Sequence, residues 1–181
     1  MARPVDPERR RELLDAATQF VIEHGLASTA LRPLGEALGV QAPTLLHHFG
    51  SKEALVSQIL NEVRRRLQDV AAEAMADSGA PTMAVWHWAA APEHENLYRT
   101  FFEIYGVALR KPEQYREFLD HVVDDWLEAG HTAEDDIRTT VTIALMRGLL
   151  LDLLTTGDRP RVQEAFEAVA PWLSEATGPL R

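Results

Sequence analysis

Within residues 28–55, STALRPLGEALGVQAPTLLHHFGSKEAL, the side chains are spaced so that some must be buried and others must be offered outward. Leu34 and Leu38 supply apolar contacts, Gly35 permits a close helix approach, Gly39 supplies a φ > 0 turn, and Val40 and Leu45 anchor the following helix. If Leu45 and Phe49 turn inward, Ala42, Pro43, Thr44, Leu46 and His47 are left on the opposite face. Lys52 comes in the first turn of the next helix, where a cation joins backbone N–H groups that already favour phosphate. A helix-turn-helix with these outward residues suits the base edges of a DNA major groove.

Other chemistries find little support. The chain has 181 residues and no cysteine, which removes thiolate metal sites, thiol nucleophiles and disulfides and fits a reducing compartment. There is no GxSxG elbow, no GxxxxGK(S/T) phosphate loop and no GxGxxG fingerprint after a strand. His87, His94 and His121 have carboxylates nearby but no HExxH-type spacing, so neither a metal nor another cofactor is expected. No enzyme is expected either: 28 acidic side chains will form pairs by chance.

The elements needed to hold the outward face are all helical. Asp6-Pro7 caps a first helix whose apolar residues Leu13, Ala16, Ala17, Phe20 and Val21 repeat until His24-Gly25. The pattern then predicts helices at about 31–38 and 42–48. Ser51 starts a long one striped by Leu55, Ile59, Val63, Leu67, Val70 and Ala74. At 1.5 Å per residue it runs about 37 Å, enough to link a head to a body. After DSGAPT at 77–82, segments at about 82–91, 93–110, 113–129, 133–156 and 159–176 follow, separated by proline and glycine. No alternating strand pattern competes, so the fold class is all-α with about nine helices: a head at 1–50 and a body at 51–181.

The formal charge of −10 divides unevenly along this layout. Residues 1–66 hold nine basic against eight acidic side chains, whereas 67–181 hold nine against twenty. An acidic body behind a near-neutral head repels DNA everywhere except at the head. No apolar run reaches about 18 residues, and the N-terminus lacks the apolar core of a signal peptide, so a cytoplasmic protein with no membrane partner is expected.

Gly25, the LRPLGEALGV run, Pro43-Thr44-Leu45, His48-Phe49 and Gly50-Ser51-Lys52-Glu53-Ala54-Leu55 together resemble the N-terminal domain of the TetR family of bacterial transcriptional regulators. The resemblance covers roughly residues 7–56; beyond it only helical layout and length match. It implies a transcriptional regulator, a repressor in most such cases, that binds a palindromic operator as a homodimer and is released by a small-molecule effector. It also implies that Thr44, the residue at 46 and His48 touch the operator and that Lys52 meets a phosphate. The alternative for His48 is packing within the head.

Two positions depart from the family pattern. Leu46 stands where tyrosine is frequent, which removes a hydroxyl donor to phosphate and leaves either a thymine-methyl contact or a side chain tucked against the first helix. Ala30 replaces the usual Ser or Thr cap of the second helix, and Thr29 or Arg32 is expected to compensate. The arginines at 9–11 could reach the DNA backbone or form a solvated helix start. Arg64, Arg65 and Arg66 point in three directions from successive helical positions and are expected to be structural.

In the body, Trp86, Trp88, Phe102, Tyr105, Trp126 and Met146 are candidates to hold a partly apolar or aromatic effector, each also able to serve as core. The helix at 133–156 is apolar nearly all round from Val141 to Leu154, so it should face its own subunit and a partner at once. Val141, Leu145, Gly148 and Leu149 on this helix are the expected dimer interface, with Val162, Phe166, Val169 and Leu173 on the next. Two readings of other classes stand beside this one: a helical dimerisation or adaptor protein that has lost DNA binding, and a small all-α enzyme.

Overall fold

A computed structural model describes residues 6–26, 30–76, 81–127 and 133–174, and all regular structure among them is helical. In chain order the helices are α1 (Pro7–His24), α2 (Leu31–Ala37), α3 (Ala42–Phe49), α4 (Lys52–Ala76), α5 (Pro81–Ala89), α6 (Glu95–Arg110), α7 (Arg116–Leu127), α8 (Ala133–Thr156) and α9 (Arg159–Ser174). Asp6 caps α1 as expected, its carboxylate accepting from the backbone N–H groups of Glu8 at 3.0 Å and Arg9 at 3.3 Å. Ser51 does the same for α4, its hydroxyl accepting from the N–H of Ala54 at 3.0 Å.

Two boundaries differ from the sequence pattern. A 3-10 turn, Pro92–His94, precedes α6, held by the His94 N–H donating to the carbonyl of Ala91. The start of α7 is delayed to Arg116 because the carbonyl of Lys111 accepts from both Gln114 and Tyr115, winding residues 111–115 into a tight turn.

The chain forms two compact units, Met1–Leu67 with Asn96–Val122, and Gln68–Glu95 with Val123–Arg181. In the first, buried residues come from every helix: Leu13, Ala17 and Val21 of α1, Leu34 of α2, Leu45 and Phe49 of α3, Leu55, Ile59 and Val63 of α4, Phe101 and Ile104 of α6, and Phe118 of α7. Helices α1, α2 and α3 are therefore part of a larger packed unit. The C-terminal end of α1 shows how: the N–H of Leu26 donates to the Glu103 carboxylate at 2.7 Å, and the buried Thr100 hydroxyl lies 3.4 Å from the carbonyls of Val21 and Ile22.

In the second unit α9 packs against α5 and α8. Trp86 is fully buried and stacks on Phe166, with ring centroids 4.4 Å apart and planes 11° from parallel, while its indole N–H donates to Gln163 at 2.8 Å. Leu150 and Leu153 of α8 and Val162, Ala170 and Leu173 of α9 complete this core. Arg159 ties α9 to the segment before α6, donating to the carbonyl of Ala90 and to Glu95. Arg161 closes the α8–α9 turn on Asp152 at 2.7 and 2.8 Å and on Asp158 at 3.2 Å.

Candidate nucleic-acid interface

The turn between α2 and α3 depends on two glycines. A Cβ on Gly35 would lie 2.7 Å from the carbonyl oxygen of Val40, and that carbonyl belongs to the turn itself, so only glycine fits. The turn is closed by the Val40 N–H donating to the carbonyl of Gly35 at 2.9 Å, and Gly39 has φ +65°. Together with the burial of Leu34, Leu45 and Phe49, this orients α3 in the manner the residue spacing predicts.

Pro43, Leu46 and His47 are exposed, and Ala42 and Thr44 are half-buried. Leu46 is 38% exposed, so it is not tucked under α1. Lys52 is exposed in the first turn of α4. Arg32 is exposed on α2, paired with Glu36 at 3.0 Å one turn away, and Ala30 makes no side-chain cap. Thr29 lies outside the described residues. His48 is half-buried, with its Nδ1 buried and without a hydrogen-bond partner, which favours a packing role for the ring.

Arg10 was missed as a structural residue because a basic helix start reads as surface. It turns inward: Nε donates to the carbonyl of His48 at 3.2 Å, Nη2 to Gln58 at 2.5 Å, and its guanidinium carbon sits 5.2 Å from the centre of the Phe49 ring. Arg9 pairs with Glu12 at 2.8 Å, and Arg11 is exposed. The arginine triplet on α4 does diverge. Arg65 and Arg66 both bind Glu62, at 2.6 and 3.1 Å, and Arg66 also approaches Asp15 at 3.5 Å. Arg64 is half-buried, where burial lowers its pKa and the charge of Glu117 opposes the shift.

Residues 13–59 match the family described as bacterial regulatory proteins, tetR family. The HTH-type transcriptional repressor AcnR of Corynebacterium diphtheriae is 25% identical over 174 residues, covering 89% of each chain. Residues 13–59 thus carry a head of the TetR type. Similarity is higher locally, over the TetR-type head: the repressor KstR2 of Rhodococcus jostii is 46% identical over 52 residues, 29% of this chain and 26% of that protein. Two solved structures share the TetR fold along nearly the whole chain. A TetR-family regulator from Cytophaga hutchinsonii superposes with TM-score 0.77 at 15% identity, covering 97% of this chain and 100% of that one. The multidrug binding protein EbrR complexed with imidazole gives 0.73 at 22%, covering 96% and 93%.

The effector candidates fall in both units. In the first, Phe102 and Tyr105 are half-buried on α6 and form an aromatic cluster with Phe101, 5.4 and 5.8 Å away between ring centres, and with Phe118, 6.0 Å from Tyr105. In the second, Trp86 is committed to the core, Trp88 is half-buried with its ring 3.9 Å from that of His94, and Met146 is half-buried on α8. The side chain of Trp126 lies outside the described residues.

The dimer candidates also divide. Val162, Phe166 and Leu173 are buried within their own chain. Leu145, Leu149 and Val169 are half-buried. Val141 and Gly148 are exposed and align with Ile137, Ala144 and Leu151 along one face of α8. Sequence reasoning missed Ile137 and Leu151, 50% and 46% exposed, because α8 is apolar on several sides and periodicity alone could not rank them. Among the described residues no group of His, Asp or Glu could hold a metal ion, and no helix is long and apolar enough to cross a membrane.

Proposed function

We propose that the protein is a homodimeric repressor that binds a palindromic operator through α3 and is released by a small, partly apolar effector. The observation that carries the DNA-binding part is the geometry of the head: two obligatory glycines set α3 so that Thr44, Leu46 and His47 can enter a major groove while Lys52 meets the flanking phosphate. Ala42 and Pro43 border that face, Arg32 of α2 supplies a further cation, and Thr29 is assigned to the same surface from the sequence. His48 is assigned to packing behind it.

Dimerisation is supported by the exposed face of α8. Ile137, Val141, Ala144, Gly148 and Leu151 recur at alternating spacings of four and three, the period at which two helices pack along a seam. A stripe of that kind in water is unfavourable, and a second copy of the same helix covers it with matching chemistry.

Effector binding is assigned to the aromatic cluster on α6, because α6 also holds the end of α1 through Thr100 and Glu103. A ligand that displaces Phe102 or Tyr105 shifts the same helix that caps the head. Regulation of this kind needs only that the ligand prefer one of two positions of α6.

The test is selection of bound sequences from random duplex DNA, followed by light scattering of the complex. A palindromic winner bound by two chains supports the proposal. A protein that is dimeric but selects no sequence would instead favour the adaptor reading. Compounds that release the duplex should lose that effect in Phe102→Ala or Tyr105→Ala.

A further inference from the structure

The outward face of α3 is short of hydrogen-bonding groups. Between Ala42 and Phe49 there is no Arg, Lys, Asn or Gln, the residue types that pair in bidentate fashion with guanine and adenine edges. The buried Leu45 and Phe49 fix the rotation of the helix, and Pro43, Leu46 and His47, at i, i+3 and i+4, then share the exposed face. Leu46 sits in the middle of it, 38% exposed.

An exposed leucine is unremarkable on most surfaces. Here it occupies the part of the molecule that must enter a groove, and the apolar feature a major groove offers is the C5-methyl of thymine. We propose that Leu46 reads a thymine C5-methyl in each half-site of the operator, an inference that rests on the DNA-binding role proposed above. The ring of Pro43 widens the apolar surface on one side, and His47 supplies the neighbouring polar contact. Recognition at this step therefore works by excluding water from a methyl group, so cytosine, which lacks the C5-methyl and carries an amino group where thymine has its O4 oxygen, is disfavoured.

The test uses the selected duplex rebuilt with each symmetric pair of thymines replaced by deoxyuridine, which removes the methyl and keeps every pairing group and phosphate. Wild-type protein should lose about fourfold in affinity per half-site at one thymine position, the factor expected from one buried methyl. Leu46→Ala, an exposed change that leaves Leu45 and Phe49 in place, should bind the thymine and deoxyuridine duplexes equally at that position. A flat deoxyuridine profile for the wild type, or equal losses for wild type and Leu46→Ala, overturns the assignment while leaving sequence-specific binding standing. A pool with no preferred sequence overturns the proposed function and this assignment together.

Discussion

Arg10 donates to the backbone carbonyl of His48 across 38 residues of sequence, so a cation near the start of α1 closes the last turn of α3. The same guanidinium reaches Gln58 on α4 and lies over the Phe49 ring, which places one side chain among three helices of the head. Its charge is spent on holding α3 against α1 and α4.

Arg10→Ala should accordingly lower the stability of the protein by about 1–2 kcal/mol, the size of a charge-assisted hydrogen bond with partial solvent access. Specific binding weakens through misplacement of α3, but the slope of log affinity against log salt stays at its wild-type value. Thermal melts and a salt titration measure both quantities, and a shallower slope would show that Arg10 meets a phosphate.

Lys52→Ala should do the opposite, leaving the melt unchanged and reducing the salt slope by about one per head. Adding Thr44→Ala should abolish specific binding. An unaltered operator affinity in the folded double variant would remove both residues from the interface.

At the α8 face, Leu151→Glu should give folded monomers, because Leu151 is 46% exposed in the single chain and a charge in an apolar seam is costly. Gly148 has open space where a Cβ would go, so nothing in its own chain requires glycine there. In an isolated helix Gly148→Ala would add up to about 1 kcal/mol; with a partner helix seated at that point it should weaken the dimer instead. Light scattering and circular dichroism separate these outcomes. Phe166→Asp, by contrast, should unfold the second unit, since Phe166 is fully buried under Trp86.

Glu62 supplies a pH dependence. Burial raises its pKa, but hydrogen bonds and charge from Arg65 and Arg66 outweigh that and hold it below its ordinary 4.5. The carboxylate thus binds its proton less readily in the folded chain, and its contribution is present above about pH 4.5 and lost as the pH falls. Glu62→Gln should be less stable than wild type at neutral pH, by up to about 1 kcal/mol for a pair with one largely exposed arginine. Urea melts across the acid range should show that gap closing.

Much of this molecule was legible in its sequence because local signals agreed with tertiary demands. Asp6, Ser51, Gly35 and Gly39 each perform the task their residue type suggested, and the helices follow within a few residues. What failed to show were relationships whose partners lie far apart. Nothing in the run of arginines at 9–11 reveals that the middle one faces Phe49, and nothing in the α9 stripe distinguishes an inward Phe166 from an outward one. Helical periodicity identifies an apolar face, and only the fold decides whether that face meets the same chain or another.

Glu103 accepts the N–H of Leu26 from 77 residues further along, so the first helix of the head is finished by a side chain synthesised long after it. The sequence motif ends near residue 56, but the exchangeable part does not. A chimera joined at residue 50 would leave the end of α1 without Thr100 and Glu103, and recombination among relatives would favour crossovers that carry α6 along with the head. What looks like a portable reading module is, for inheritance and for protein engineering alike, a discontinuous piece of chain.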